Sequence, residues 1–130
     1  MPYISAVATT IAMPEIFDQG PAVMLGDFNA NTIWDKTHPK HLNPSSVVEH
    51  FANRGIVCDY DYIRGEPKGK ESEATFYLHH DACKLFHIDY CFLPKAWAEQ
   101  ISLVEVGTFQ KWERYSDHRP FLLEITGDGL

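Results

Sequence analysis

Four consecutive apolar residues, Ala22 to Leu25, stop abruptly at Gly26, and an acid and an amide, Asp27 and Asn29, follow two apart. An unbroken apolar run is the pattern of a strand covered on both faces, so the chain is expected to place a layer on each side of it. Residues i and i+2 of a strand point to the same side. Asp27 and Asn29 are therefore expected together at its carboxyl end, where α/β proteins tend to place ligands. A carboxylate there can hold or activate a water, and a carboxamide can donate to a phosphate oxygen without adding charge. The same spacing also opens turns, because Asx side chains bond nearby backbone.

The rest of the sequence reads as one α/β domain over residues 1–130 with strands in the majority. At this length a chain buries roughly two thirds of its unfolded surface, enough for a sizeable core. Ile4, Val7, Ala8 and Ile11 recur at helical spacing, and Pro14 ends or kinks that helix. Residues 30–44 read as a long polar loop. Ser46 and Glu49 form a capping box for a helix whose apolar stripe is Val47, Val48, Phe51 and Ala52, ended by Gly55. Strands are expected over 56–63, 75–80, 85–93, 101–109 and 119–126, with a hairpin at 81–84 and a helical turn at 94–100. The charged segment 64–74 reads as an exposed mobile loop.

Two further groups stand at strand ends. Alternation over 87–93 puts Ile88, Tyr90 and Phe92 on one face and Asp89 with Cys91 on the other. An acid in so apolar a strand is costly to bury unless paired, and a histidine is its natural partner, because a carboxylate fixes the ring's orientation. Asp117 and His118 precede the last apolar run. The first suits a hard divalent cation, the second a phosphate oxygen or a nearby carboxylate. His79, His80 and Cys83 lack a second pair at zinc-ligand spacing, so they read as a hairpin loop.

Together "LGDFN" at 25–29, "ATFY" at 74–77, "HIDY" at 87–90 and "SDHRP" at 116–120 resemble, in order and approximate spacing, the endonuclease/exonuclease/phosphatase superfamily with the DNase I-like fold. The resemblance implies phosphoester hydrolysis, with Asp27 orienting or deprotonating the attacking water and Asn29 contacting the phosphate. It implies that His118 stabilises the phosphoryl oxygens, held by Asp89, and that Asp117 contributes to a Mg²⁺ or Mn²⁺ site.

The resemblance also implies that an N-terminal half, including a metal-binding glutamate, has no counterpart in residues 1–21. The chain is thus expected to be the C-terminal half of a four-layer sandwich, mostly antiparallel sheet with flanking helices, leaving apolar sheet surface to be covered by a homodimer or a complementing chain. With Asp117 alone, metal binding is expected to be weak unless another acid helps; Glu105, Glu113 and Glu124 are the candidates. The alternative to a phosphodiesterase is an inactive half-domain that binds or assembles.

Net charge is -7, with 11 basic and 18 acidic residues, a poor balance for tight nonspecific binding of duplex DNA, although a nucleic-acid substrate contacted locally remains compatible. No apolar run reaches the length of a membrane span. The 3 cysteines, with no CxxC pair, point to a reducing compartment, read as the cytoplasm.

Overall fold

The computed structural model describes residues 2–127. Met1 and residues 128–130 of the expected domain lie outside the described residues, as does the side chain of Ile4.

The element that organises the molecule is a strand from the apolar run after His87, here β5 (Asp89–Pro94). It is the centre of a three-stranded antiparallel sheet, flanked by β1 (Met24–Asp27) and β2 (Ile56–Cys58). Tyr90, Cys91, Phe92 and Leu93 are all buried. With these four residues buried on both faces, the strand's polar group is confined to its end, at Asp89.

Helix α1 (Pro2–Ile11) packs against α3 (Pro44–Asn53), with the short α2 (Pro14–Phe17) between them in sequence. The stripe of α3 buries Val47 and Phe51, and Phe51 stacks on Phe92 with centroids 4.3 Å apart. Burying such side chains contributes about 1.5–3 kcal/mol each. The N-cap of α3 is Asn43, whose side chain accepts the Ser46 N–H at 2.8 Å, with Pro44 in the first turn. The expected capping box beginning at Ser46 is replaced, because an Asn-Pro pair starts the helix earlier. Ala52 is exposed, at the edge of the stripe. Gly55, at φ 70°, adopts the left-handed conformation that ends this helix.

Several expectations are corrected. The strand expected over 56–63 stops at Cys58, and α4 (Asp59–Arg64) follows. Alternating aromatics in "CDYDYI" imitate a strand, but Tyr60 is fully buried, 4.6 Å from the His87 ring, and that packing selects the helix. The loop 64–74 is fastened rather than exposed throughout. Lys68 pairs with Asp61 at 3.1 Å and lies 3.8 Å from the Tyr90 ring centroid, while Glu71 accepts the Gly69 N–H. Residues 30–44 contain two short 3-10 turns, Thr32–Thr37 and Lys40–Leu42. Helical segments cover more of the described chain than strands do.

The expected hairpin forms, but only β3 (Phe76–Tyr77) and β4 (Leu85–Phe86) pair in it. His79 and His80, both at positive φ, sit in the turn between them. After the short helix α5 (Lys95–Ala98), β6 (Ile101–Val106) pairs antiparallel with β7 (Phe121–Ile125), and α6 (Phe109–Trp112) lies in the connection. All strand pairs are antiparallel.

β1 departs most from its sequence pattern. Among the described residues it pairs with β5 alone, and Leu25 is 71% exposed. Nothing in the described residues covers its second face, so the apolar run that announced a buried strand forms an open edge.

Candidate active site

β1 and β5 run antiparallel in a register that sets Asp27 directly opposite Asp89. Like charges in that position repel. The His118 imidazole lies between them, with Nδ1 2.9 Å from Asp89 Oδ2 and Nε2 3.8 Å from Asp27 Oδ2. Because a carboxylate only accepts, the Nδ1 proton points at Asp89 and Nε2 faces Asp27 and the solvent. Burial pushes the Asp89 carboxyl up from its ordinary range, and its contacts with Thr75 and His118 oppose that shift.

The segment before β7 brings His118 here. An isolated antiparallel bridge joins His118 to Phe76, whose ring lies 4.8 Å from the imidazole. Two main-chain bonds flank that bridge: Tyr77 N–H to the Asp117 carbonyl at 2.8 Å, and Arg119 N–H to the Thr75 carbonyl at 2.7 Å. His118 N–H also donates to Ser116 Oγ at 3.0 Å.

Thr75, which sequence reasoning named only within a family-like segment, holds the site from behind. It is fully buried, and its Oγ1 accepts the N–H groups of Ile88 and Asp89 at 3.0 and 3.1 Å. One residue therefore fastens both sides of the Asp89–His118 contact. Asn31 is a second such residue. It is 4% exposed and donates to the His87 carbonyl and to Tyr90 Oη at 2.8 and 2.9 Å, tying the exit of β1 to the entry of β5. No sequence spacing signals either role, since their partners are distant in the chain: main-chain N–H groups for Thr75, and the His87 carbonyl with the Tyr90 hydroxyl for Asn31.

Asn29 is placed differently from strand alternation. β1 ends at Asp27, and Asn29 lies beyond it in the left-handed region at φ 47°. Its N–H donates to Asp27 Oδ1 at 2.7 Å. The turn and the site coexist: Oδ1 is occupied by the backbone, and Oδ2 is left toward His118. Asp27, Asp89 and His118 are thus brought together, whereas Asn29 joins them through its main chain.

Asp117 is tied in through its carbonyl, one residue from His118. Among the described residues no three His, Cys, Asp or Glu side chains are grouped so as to hold a metal ion. Divalent cations of the Mg²⁺ and Mn²⁺ kind ask for about six oxygen ligands. The donor set around Asp117 does not by itself fit such an ion, and the Glu105, Glu113 and Glu124 carboxylates do not complete it. The same observation applies to His79, His80 and Cys83.

No helix among the described residues is long and apolar enough to cross a membrane. No protein-family model and no curated protein matches the sequence. Among solved structures the chain is similar to a 3′ phosphatase, NExo, from Neisseria, bound to a product DNA hairpin, with a TM-score of 0.62 and 22% identity. The match covers 95% of this chain and 52% of that one, so the chain spans about half the length of the structure it resembles. The likeness shows a related fold, and the mixed α/β architecture with antiparallel sheets is consistent with part of a DNase I-like fold.

Proposed function

We propose that this chain carries the catalytic edge of a phosphoester hydrolase of the endonuclease/exonuclease/phosphatase kind and corresponds to the C-terminal half of that domain. The observation that supports this most is the imidazole of His118 held between two carboxylates that face each other across β1 and β5. Asp27 Oδ2, with its sister oxygen occupied by the Asn29 N–H, takes a proton from the attacking water. The water oxygen bonds to phosphorus as the bond to the leaving oxygen breaks, and solvent protonates that oxygen. His118, aligned by Asp89, presents Nε2–H to a phosphoryl oxygen when doubly protonated, and the Asn29 carboxamide donates to another. No step is assigned to a metal. Mg²⁺ or Mn²⁺ enters only where a covering chain adds oxygen ligands to Asp117.

The substrate class we propose is a nucleic-acid phosphoester, supported by the DNA-bound structural neighbour. With a net charge of -7, binding depends on local contacts at the scissile group rather than on a basic surface.

A covering partner belongs to the same reading. Leu25 and Leu122, 71% and 53% exposed, line a cleft of about 470 Å³ between β1, β5 and β7, and Asp89 reaches its wall. A second copy of this chain is the occupant we propose, since a two-fold contact covers the same apolar face on both copies.

Turnover of a phosphodiester and of a 3′-phosphorylated oligonucleotide, followed by product release, tests the activity. The reading expects turnover in the wild type that falls by roughly 10²-fold or more in Asp27→Asn and His118→Gln. A folded, assembled wild type with no turnover on either substrate supports the alternative, an inactive binding or structural half-domain.

A further inference from the structure

We propose that Arg119 is the positioning residue for His118, clamping the 116–118 segment so that the imidazole stays against Asp89. This inference rests on the site reading above. Arg119 is 3% exposed, the most deeply buried basic side chain among the described residues. Long cations are rarely buried without an acidic partner. Among the described residues, however, no carboxylate lies within ion-pair distance of Arg119. Its Nη1 instead donates to the carbonyls of Ser116 and His118, at 2.8 and 3.0 Å. Two carbonyls two residues apart are bridged by one guanidinium nitrogen, which closes the turn that carries Asp117 and His118.

The rest of the guanidinium is held by rings. Its central carbon lies 4.5 Å from the Tyr77 ring centroid and 5.1 Å from that of Phe109. The Nε and Nη2 atoms are buried without hydrogen-bond partners. Orphaned N–H groups destabilise a fold, and the negative faces of two rings offset part of that cost. Ion pairing does not explain such an arrangement; anchoring a loop does. At its main chain the same residue donates to Thr75, so side chain and backbone fix both ends of the His118 position. A lysine retains the charge but lacks the planar group that stacks between rings while donating to two carbonyls.

The test reads the imidazole directly. Long-range ¹H–¹⁵N correlation at alkaline pH, where imidazoles are neutral, reports which ring nitrogen of His118 carries the proton. The wild type is expected to show the Nδ1–H form, and Arg119→Met to show a mixture shifted toward Nε2–H, with Arg119→Lys between them. Turnover on the phosphodiester is expected to fall roughly 10²-fold in Arg119→Met with KM little changed, as for misplacement of a catalytic group. Arg54→Met, which removes the pair with Asp18 far from the site, is the control for lost stability and should leave the tautomer unchanged. If Arg119→Met does not fold, Phe109→Leu removes one ring from the clamp and is read in the same way.

A His118 that keeps a single Nδ1–H form in these variants overturns the clamp. The tautomer needs no turnover, so an inactive wild type would count against the hydrolase reading and leave the clamp to be judged by the ring signal.

Discussion

Replacing Asp59 with Asn tests the reasoning about the core most sharply, because its effect must change with pH. Asp59 is fully buried at the start of α4; its Oδ1 accepts the Tyr60 N–H at 2.7 Å and its Oδ2 is buried without a partner. Burial pushes its carboxyl up from 3.8 to about 6, against the opposing pull of the Tyr60 N–H and Lys68. Each unit corresponds to about 1.4 kcal/mol, so keeping the group ionised in the fold costs about 3 kcal/mol. The sign follows from proton counts. Between about pH 4 and pH 6 the folded state binds a proton that the unfolded state has lost, so stability falls as pH rises through that window. Asp59→Asn removes this decline. Urea unfolding is expected to give nearly equal stabilities for the two proteins near pH 4 and an advantage of up to about 3 kcal/mol for the variant at pH 7, a midpoint shift of about 1–3 M urea. Asp61 and Asp89, also raised by burial, are present in both proteins and drop out of the difference. A difference that stays constant with pH would refute the assignment of the cost to the buried charge.

Thr75→Val keeps the shape of a fully buried side chain but removes the acceptor of two N–H groups; chemical denaturation should show a loss of about 2–4 kcal/mol, largely restored in Thr75→Ser. Leu122→Lys should change the stability of the folded chain by less than about 0.5 kcal/mol, yet convert a dimer to a monomer by light scattering; a wild-type monomer at micromolar concentration contradicts the proposed contact. Mn²⁺ at millimolar concentration should raise the unfolding temperature of the isolated chain by less than about 2 °C, because Asp117 lacks companion ligands; a large shift that Asp117→Asn abolishes would show that the ligand set was misjudged.

Much of the candidate site was legible because each of its motifs borders an apolar strand, Asp27 at the end of β1, Asp89 at the start of β5 and His118 ahead of β7. A buried strand can tolerate acids only at its mouth, so Asp27, Asp89 and the Asp117–His118 pair announced themselves as breaks in apolar runs. The helices α1 and α3 were legible from their stripes. Helix α4 was not, since Tyr60 and Tyr62 alternate as a strand would and only packing of Tyr60 against His87 selects the helical turn. Thr75, Asn31 and Arg119 were also hidden as supports of the site. Thr75 and Asn31 act on groups far away in the chain and the Arg119 side chain on carbonyls of its own turn, and such contacts leave no mark in composition or spacing. The exposure of β1 was hidden for the opposite reason. Its unbroken apolar run reads as a strand covered on both faces, whereas Leu25 lies open among the described residues.

The claim that Asp89 acts through His118 is tested most directly by a double-mutant cycle on phosphodiester turnover. With Asp89→Asn, His118→Gln and the pair combined, residues that work as one unit give a double variant no slower than the worse single one. Losses of activity that simply multiply would contradict the shared role proposed for them from their 2.9 Å contact.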